Sequence, residues 1–253
     1  ERIEAHGVLN GYYRADDIDA GIIRHSTRLL ELNAGMSADQ RIPALANTIT
    51  YTPDSTATGQ TDQATVQVNA LGLVTLESMA QARIHGVAND DVLTVVGTGG
   101  DDRVVHVPGS AADAGEVRVN SLLPLEYEHL GLGGSLTVSG GGGAADELEY
   151  VGRALSDDFG VAGVATITLN NHIAVDTTAV ESYRLRGSGG DDTFNITPVG
   201  GIAVTVEGDE PGGSDVLNYT AVNATVVDLA AGSIDDTVLA PAPPIVSVLR
   251  QSK

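Results

Sequence analysis

The amino-acid sequence predicts an all-β fold, built as a parallel β-helix or β-solenoid with a short N-terminal cap segment. Three observations indicate this: short stretches in which apolar and polar residues alternate, Gly/Asp turns between them, and similarity between distant segments of the chain. Strands spaced this closely suit either stacked coils or tandem β-sandwich domains. A motif shared by many strand starts favours the solenoid, and tandem sandwiches remain the alternative.

The strands are predicted from residues that alternate over four or five positions between turn signals. No interval between them predicts a crossover helix. The predicted strands are Thr65–Asn69, Val92–Val96, Arg103–Val107, Glu116–Asn120, Ser135–Ser139, Ala165–Leu169, Ser182–Arg186, Thr193–Thr197, Ala203–Val206 and Val216–Tyr219.

Internal similarity extends over the same part of the chain. Residues 64–91 align without a gap with residues 165–192, and Val117–Asn120 resembles Val66–Asn69. Identical pairs include Asn69 and Asn170, Arg83 and Arg184, Gly86 and Gly187, and Asp91 and Asp192. These matches predict a repeating unit of about 50 residues.

Three segments follow from these patterns. Residues 1–60 are predicted to be an N-terminal cap or connecting segment, residues 61–240 the β-repeat domain, and residues 241–253 a Pro-rich tail. Within the tail, Ile245–Leu249 has the pattern of an apolar strand, which could cap the solenoid, lead into a further domain or pair with a neighbouring subunit.

The cap segment allows two secondary structures. A helix could begin at Asp16 or Asp17, or two strands could lie at Gly21–His25 and Arg28–Leu32. Thr48–Gly59, rich in Thr, Pro, Ser and Gly, predicts a linker or long turn.

Composition excludes several classes of function. The chain of 253 residues has 13 Lys and Arg against 34 Asp and Glu, so its formal charge of −21 disfavours nucleic acid and anionic membrane surfaces. Lys253 is the only lysine, which leaves no internal amine for Schiff-base chemistry, and the absence of cysteine excludes thiolate metal sites. With few aromatic residues, the core is expected to consist of Val, Leu, Ile and Ala.

Aspartate recurs two positions before an apolar residue at the start of strands. Because side chains alternate along a strand, each such carboxylate is expected on the buried side, at the corner where the strand begins. A carboxylate there must accept N–H groups of the turn or bind a cation. The motifs are Asp91-x-Leu93, Asp102-x-Val104, Asp146-x-Leu148, Asp157-x-Phe159, Asp192-x-Phe194, Asp215-x-Leu217 and Asp236-x-Val238.

Glycine-rich turns precede several of these aspartates. The segments are Gly97–Val105, Gly141–Leu148, Gly187–Asn195 and Gly213–Leu217. They resemble the haemolysin-type calcium repeat, Gly-Gly-x-Gly-x-Asp-x-φ-x, whose parallel β-roll binds calcium through the turn and the Asp. The motifs here do not follow one another directly, so the resemblance is closer to degenerate Gly-Gly-Asp-Asp repeats of very large secreted bacterial surface proteins.

This resemblance implies calcium as the cofactor, and as metal ligands Asp101, Asp102, Asp191 and Asp192, followed by Asp90, Asp91, Asp146 and Asp215. The alternative is that Asp and Gly serve only as turn formers. The resemblance also implies an extracellular or cell-surface protein with a structural or adhesive role in a layer, sheath or filament. Its expected partners are copies of itself or neighbouring surface proteins, without nucleic acid or membrane insertion.

Two further constellations bear on catalysis and metals. Glu126, Glu128, Glu147 and Glu149 could form the carboxylate cluster of a polysaccharide lyase or glycosidase, which is the alternative function. The scarcity of aromatic residues for sugar stacking favours a non-enzyme. The six histidines are dispersed along the chain, and their spacing predicts no zinc site.

Overall fold

The structure, a computed structural model, describes residues 22–33, 46–54, 60–86, 90–209, 214–228, 233–237 and 245–249. Over these residues the protein is all-β, with twenty strands and no helix. Accordingly, no described helix is long and apolar enough to cross a membrane. The all-β prediction is confirmed.

The strands of the first half are β1 Ile22–Asn33, β2 Thr48–Asp54, β3 Gln63–Val68, β4 Val74–His85, β5 Val92–Val96, β6 Arg103–Pro108, β7 Gly115–Val119, β8 Leu125–Glu128, β9 Ser135–Ser139 and β10 Glu147–Val151. Those of the second half are β11 Asp158–Ala162, β12 Thr166–Leu169, β13 Val175–Thr178, β14 Ser182–Arg186, β15 Thr193–Thr197, β16 Ala203–Glu207, β17 Val216–Tyr219, β18 Ala224–Asp228, β19 Ser233–Thr237 and β20 Ile245–Leu249.

Most strands pair in parallel with a strand distant in sequence. Four parallel ladders result: ladder A is β1, β4 and β8; ladder B is β2, β5, β9 and β13; ladder C is β6, β10, β14, β16 and β20; ladder D is β11, β15 and β17. Antiparallel strands β3, β7 and β12 join the ladders into one hydrogen-bonded network.

The sequence distance between paired strands is not constant. Corner residues that are hydrogen-bonded across neighbouring strands lie 44 residues apart at Asp102 and Asp146, 35 apart at Asp157 and Asp192, and 23 apart at Asp192 and Asp215. The extra antiparallel strands lengthen the earlier connections. A uniform unit of about 50 residues is therefore not confirmed.

Two predictions for the N-terminal part need correction. Residues 22–33 form the single strand β1, with two shifts of register between Arg24 and Leu29, so the helix is wrong there and the two predicted strands are one. The linker predicted at Thr48–Gly59 is wrong over β2, which pairs with β3 and β5. Asp16, Asp17 and Asp236-x-Val238 fall wholly or partly outside the described residues, and the proposed domain limits stay a prediction.

The core lies between the ladders and contains the apolar residue of five of the Asp-x-φ motifs, while Leu217 is partly buried and packs against it. Leu93, Val104, Leu148, Phe159 and Phe194 are all buried, as the alternation predicts. The expectation of a core without large aromatics is wrong. The largest fully buried side chains are Tyr51, Tyr127, Tyr150, Tyr183, Phe159 and Phe194.

Aromatic rings form a column through the core. His106 contacts Tyr150 edge-on at 4.5 Å between ring centroids, Tyr150 contacts Phe159 at 5.7 Å, and Phe159 stacks on Phe194 at 5.0 Å. Aromatic pairs at these separations stabilise beyond the area that they bury. A few aromatic residues therefore suffice because they are concentrated on facing strands.

Candidate functional site

The aspartates that start the strands are called here the corner aspartates: Asp91, Asp102, Asp146, Asp157, Asp192 and Asp215. All are buried except Asp215, which is half-buried. Four of them, Asp91, Asp146, Asp192 and Asp215, accept a hydrogen bond from the backbone N–H at the start of a neighbouring strand. Asp102 and Asp157 instead accept the turn N–H groups of Thr98 and Arg153. The N–H of Asp102 donates to Asp146 Oδ1 at 2.7 Å, and the N–H of Asp157 donates to Asp192 Oδ1 at 2.8 Å. The corner carboxylates thus hold successive strand starts together.

The same hydrogen bond recurs at further corners, two of which use a residue other than aspartate. The N–H of Asp192 donates to Asp215 Oδ1 at 2.9 Å, and the N–H of Asp146 donates to Glu181 Oε2 at 2.9 Å. Asn47 occupies the corner before β2, where its N–H donates to Asp91 Oδ1 at 2.7 Å. The sequence analysis missed Asn47 and Glu181 because neither has the Asp-x-φ pattern.

A glycine at the end of the preceding strand makes room for each corner carboxylate. A β-carbon on any of these glycines would lie 2.1–2.8 Å from Oδ2 of the aspartate. The pairs are Gly86 and Asp91, Gly97 and Asp102, Gly140 and Asp146, Gly152 and Asp157, Gly187 and Asp192, and Gly208 and Asp215. This contact is a steric reason for the Gly-rich turn before the Asp that requires no bound ion.

Three asparagines complete the corners. Asn120 accepts the Arg103 N–H and donates to Asp102 Oδ1, and Asn170 accepts the Asp158 N–H and donates to Asp157 Oδ1. Asn69 makes the corresponding contacts with Thr48 and Asn47. All three have left-handed backbone, with φ of 51°, 47° and 51° for Asn120, Asn170 and Asn69. Asparagine tolerates this conformation better than most residues.

The eight predicted calcium ligands separate into two sets. Asp91, Asp102, Asp146 and Asp192 are buried, with Asp215 half-buried, whereas Asp90, Asp101 and Asp191 are exposed. The exposed set also contacts neighbouring turns: Asp101 Oδ1 accepts the N–H groups of Ala144 and Ala145, and Asp90 Oδ1 accepts that of Gly133. Calcium binding by either set stays a prediction.

Burial changes the acidity of two corner aspartates. Desolvation by burial raises the pKa of Asp146 and of Asp192, and neighbouring carboxylates raise both further. In each residue Oδ1 accepts a backbone N–H, while the buried Oδ2 has no hydrogen-bond partner. The unpartnered oxygen is therefore compatible with a protonated carboxyl group or with a bound cation.

Replacing Asp192 with asparagine tests how much the burial of its charge costs when no cation is bound. In chelator at pH 7 we expect the melting temperature of Asp192→Asn to be at or above that of the wild type, because the amide keeps the oxygen acceptor without the cost of burying charge. Since the folded-state pKa is raised, the wild type gains stability as pH falls through it toward the ordinary value of 3.8, and the difference should shrink. A melting temperature clearly below wild type in chelator at pH 7 would contradict this.

The four glutamates of the predicted enzymatic cluster lie on two ladders and are ion-paired. On ladder A, Arg83 contacts Glu126 at 2.7 Å. On ladder C, Glu149 is buried and contacts Arg103 and Arg186, and Glu147 lies 3.7 Å from Arg103. Arginine therefore offsets the charge of three of the glutamates.

The fourth glutamate, Glu128, lies in a cluster with two histidines. His85 Nδ1 is 2.9 Å from Glu128 Oε1, and His129 Nδ1 is 4.0 Å from Glu128 Oε2. The rings of His85 and His129 are 4.4 Å apart. The hydrogen bond from His85 lowers the pKa of Glu128, assisted by the charges of His85, His129 and Arg83.

This cluster corrects the view of the histidines as dispersed. His85 ends β4 and Glu128 ends β8, and the parallel register places them directly opposite each other. The two residues are 43 positions apart in sequence, so local spacing could not reveal them. Predicting this pair would have required knowing that β4 and β8 are neighbours in the sheet.

A cleft of about 340 Å³ lies beside this cluster. It is formed by the turn between β6 and β7 and by the outer face of β8. Its acidic and imidazole lining is Glu116, Glu126, Glu128 and His129. The cleft could admit a small polar ligand.

Comparisons with family models, curated proteins and solved structures found no match for this chain. The similarity to calcium-binding repeats therefore rests on the sequence motifs alone. Function is inferred below from the geometry of this chain.

Proposed function

We propose that this chain is a structural or adhesive module of an extracellular or cell-surface assembly, folded as a β-solenoid and without catalytic activity. The observation behind this proposal is the corner hydrogen bond, in which a buried or half-buried carboxylate accepts the N–H that starts a neighbouring strand. The bond recurs between successive strands of ladders C and D. These carboxylates therefore stabilise the stacking of the strands.

Three other features support a stacked scaffold. The four parallel ladders repeat the same neighbours along a stack, as the coils of a solenoid do. The aromatic column from His106 to Phe194 continues through the core. On ladder C, charges alternate from Arg103 to Glu149 to Arg186, so cross-strand ion pairs join three successive strands.

Calcium stabilisation forms part of the proposal. The buried Oδ2 atoms of Asp146 and Asp192 lack hydrogen-bond partners, and carboxylate oxygen is a preferred calcium ligand. Extracellular calcium modules bind at about 10⁻⁴–10⁻³ M, so each site would add only about 1 kcal/mol at millimolar calcium. Calcium would then adjust the rigidity of a scaffold that the corner hydrogen bonds already hold.

The test is imaging and sedimentation of the purified chain, in chelator and in millimolar calcium. We expect ordered assemblies in electron micrographs and a sedimentation coefficient that rises with protein concentration. Monodisperse monomers at every concentration, in both conditions, would contradict self-assembly. Equal melting temperatures in chelator and in calcium would contradict the calcium role.

The cleft beside Glu126 and Glu128 favours a second candidate, a polysaccharide lyase or glycosidase. A glycosidase needs one carboxyl group held protonated as the acid. Glu128 has the opposite tendency, because His85 lowers its pKa. Incubation with acidic and neutral polysaccharides should yield no new reducing ends. Their appearance, together with their loss in Glu126→Gln, would establish the enzyme instead.

A further inference from the structure

We propose that His85, Glu128 and His129 form a binding site for a divalent transition metal such as zinc. The site is distinct from the corner aspartates and does not depend on the proposed scaffold role. Its three candidate ligand atoms lie within 4.8 Å of one another. Among the described residues, no other group of His, Asp and Glu side chains brings three such ligand atoms this close together.

The distances suit a single ion. A tetrahedral zinc with bonds of about 2.0–2.1 Å separates its ligand atoms by about 3.4 Å. His85 Nδ1 lies 2.9 Å from Glu128 Oε1, and His129 Nδ1 lies 4.0 Å from the other carboxylate oxygen, Oε2, so the two distances fall on either side of that value. All three side chains are at least one-third exposed, so small rotations can adjust them.

Backbone geometry explains why consecutive residues can share one site. In a regular strand, Glu128 and His129 would point to opposite faces. His129 instead has a left-handed backbone, with φ of 58°, directly after β8 ends. This conformation accompanies the contact of its ring with that of His85 on the adjacent strand.

The donor set selects the class of metal. Two imidazole nitrogens and one carboxylate oxygen suit zinc, copper or nickel, whereas calcium prefers oxygen ligands alone. Three protein ligands leave a fourth position for water or for a group of another molecule. The neighbouring cleft, to which Glu128 and His129 contribute, gives such a group access.

Metal binding would also join two strands of ladder A, because His85 belongs to β4 and Glu128 to β8.

Glu126 provides the control residue for the metal-binding experiment. It lies on the same face of β8 but contacts Arg83 and Gln81 instead of an imidazole. Substituting Glu126 therefore tests whether zinc binding requires Glu128 in particular or only some carboxylate on β8.

The experiment is calorimetric titration of the full chain with zinc chloride, for the wild type and for His85→Ala, His129→Ala, Glu128→Gln and the control Glu126→Gln. We expect a saturable site in the wild type, a Kd raised at least about tenfold by each of the first three changes, and a change below about twofold for the control. Circular dichroism in chelator checks that every variant is folded.

Absence of saturable zinc binding in the wild type would overturn the proposal. So would wild-type affinity in a His85→Ala, His129→Ala double variant, which would assign the zinc to other groups such as the aspartates. Calcium titrated into the same variants should bind no differently from calcium titrated into the wild type. Cobalt in place of zinc gives an independent readout, because its visible absorption should change when either imidazole is lost.

Discussion

Replacing Gly140 with alanine is expected to lower the free energy of unfolding by about 3 kcal/mol. The new methyl group would lie 1.9 Å from the carbonyl oxygen of Ala179 and 2.5 Å from Oδ2 of Asp146. The first contact is backbone at Ala179, directly after β13, and the second is a buried side chain fixed by the Asp102 N–H. Neither can withdraw without disturbing the corner.

Gly99→Ala is the matched control for this substitution. A β-carbon on Gly99 meets nothing within 4 Å, and its backbone is not left-handed. Thermal and urea denaturation should place Gly99→Ala within about 0.5 kcal/mol of the wild type. Equal stabilities for the Gly140 and Gly99 variants would show that the glycine before the corner aspartate has no steric role.

Replacing Asp157 with alanine is expected to cost a similar amount, about 3 kcal/mol, which is a fall in melting temperature of about 6–12 °C. The Asp157 carboxylate accepts the Arg153 N–H at 2.6 Å and the Arg153 guanidinium at 2.8 and 2.9 Å. It also accepts the side-chain amide of Asn170. The substitution leaves all of these donors without their carboxylate acceptor.

The adjacent Asp158 provides the control for this second change. Its carboxylate is exposed and contacts only Asn195 among the described hydrogen bonds. Asp158→Ala should therefore change the melting temperature by no more than about 2 °C. If Asp157→Ala were equally mild, the corner carboxylate would not be a significant source of stability.

Sequence patterns were most informative where they were local. Alternation of apolar and polar residues predicted strands such as Val92–Val96 and Ser182–Arg186 with the observed limits. The Asp-x-φ motif predicted a carboxylate on the buried side of each corner, because the period of a strand is two. Asp102 and Asp192 are accordingly buried.

Patterns failed where the strand was long or the turn signals misled. The Thr- and Pro-containing residues of β2 predict a linker, yet Ile49 and Tyr51 are fully buried because β2 pairs on both sides. The Asp-x-φ motif predicted Phe159 and Phe194 on the buried side, but not that their rings stack and that Tyr150 contacts Phe159. Composition gives the number of aromatic rings, but their contacts depend on which strands are neighbours in the fold.

Local sequence was enough to predict the all-β class, the period of the strands and the identity of most corner aspartates, since each depends on neighbours a few residues away. The three-dimensional structure was needed to see which group accepts which N–H, as between Asp102 and Asp146, and which side chains share a site, as with His85 and Glu128. The physical reason is that parallel pairing joins residues tens of positions apart, and the intervening connections of 23 to 44 residues follow no fixed length.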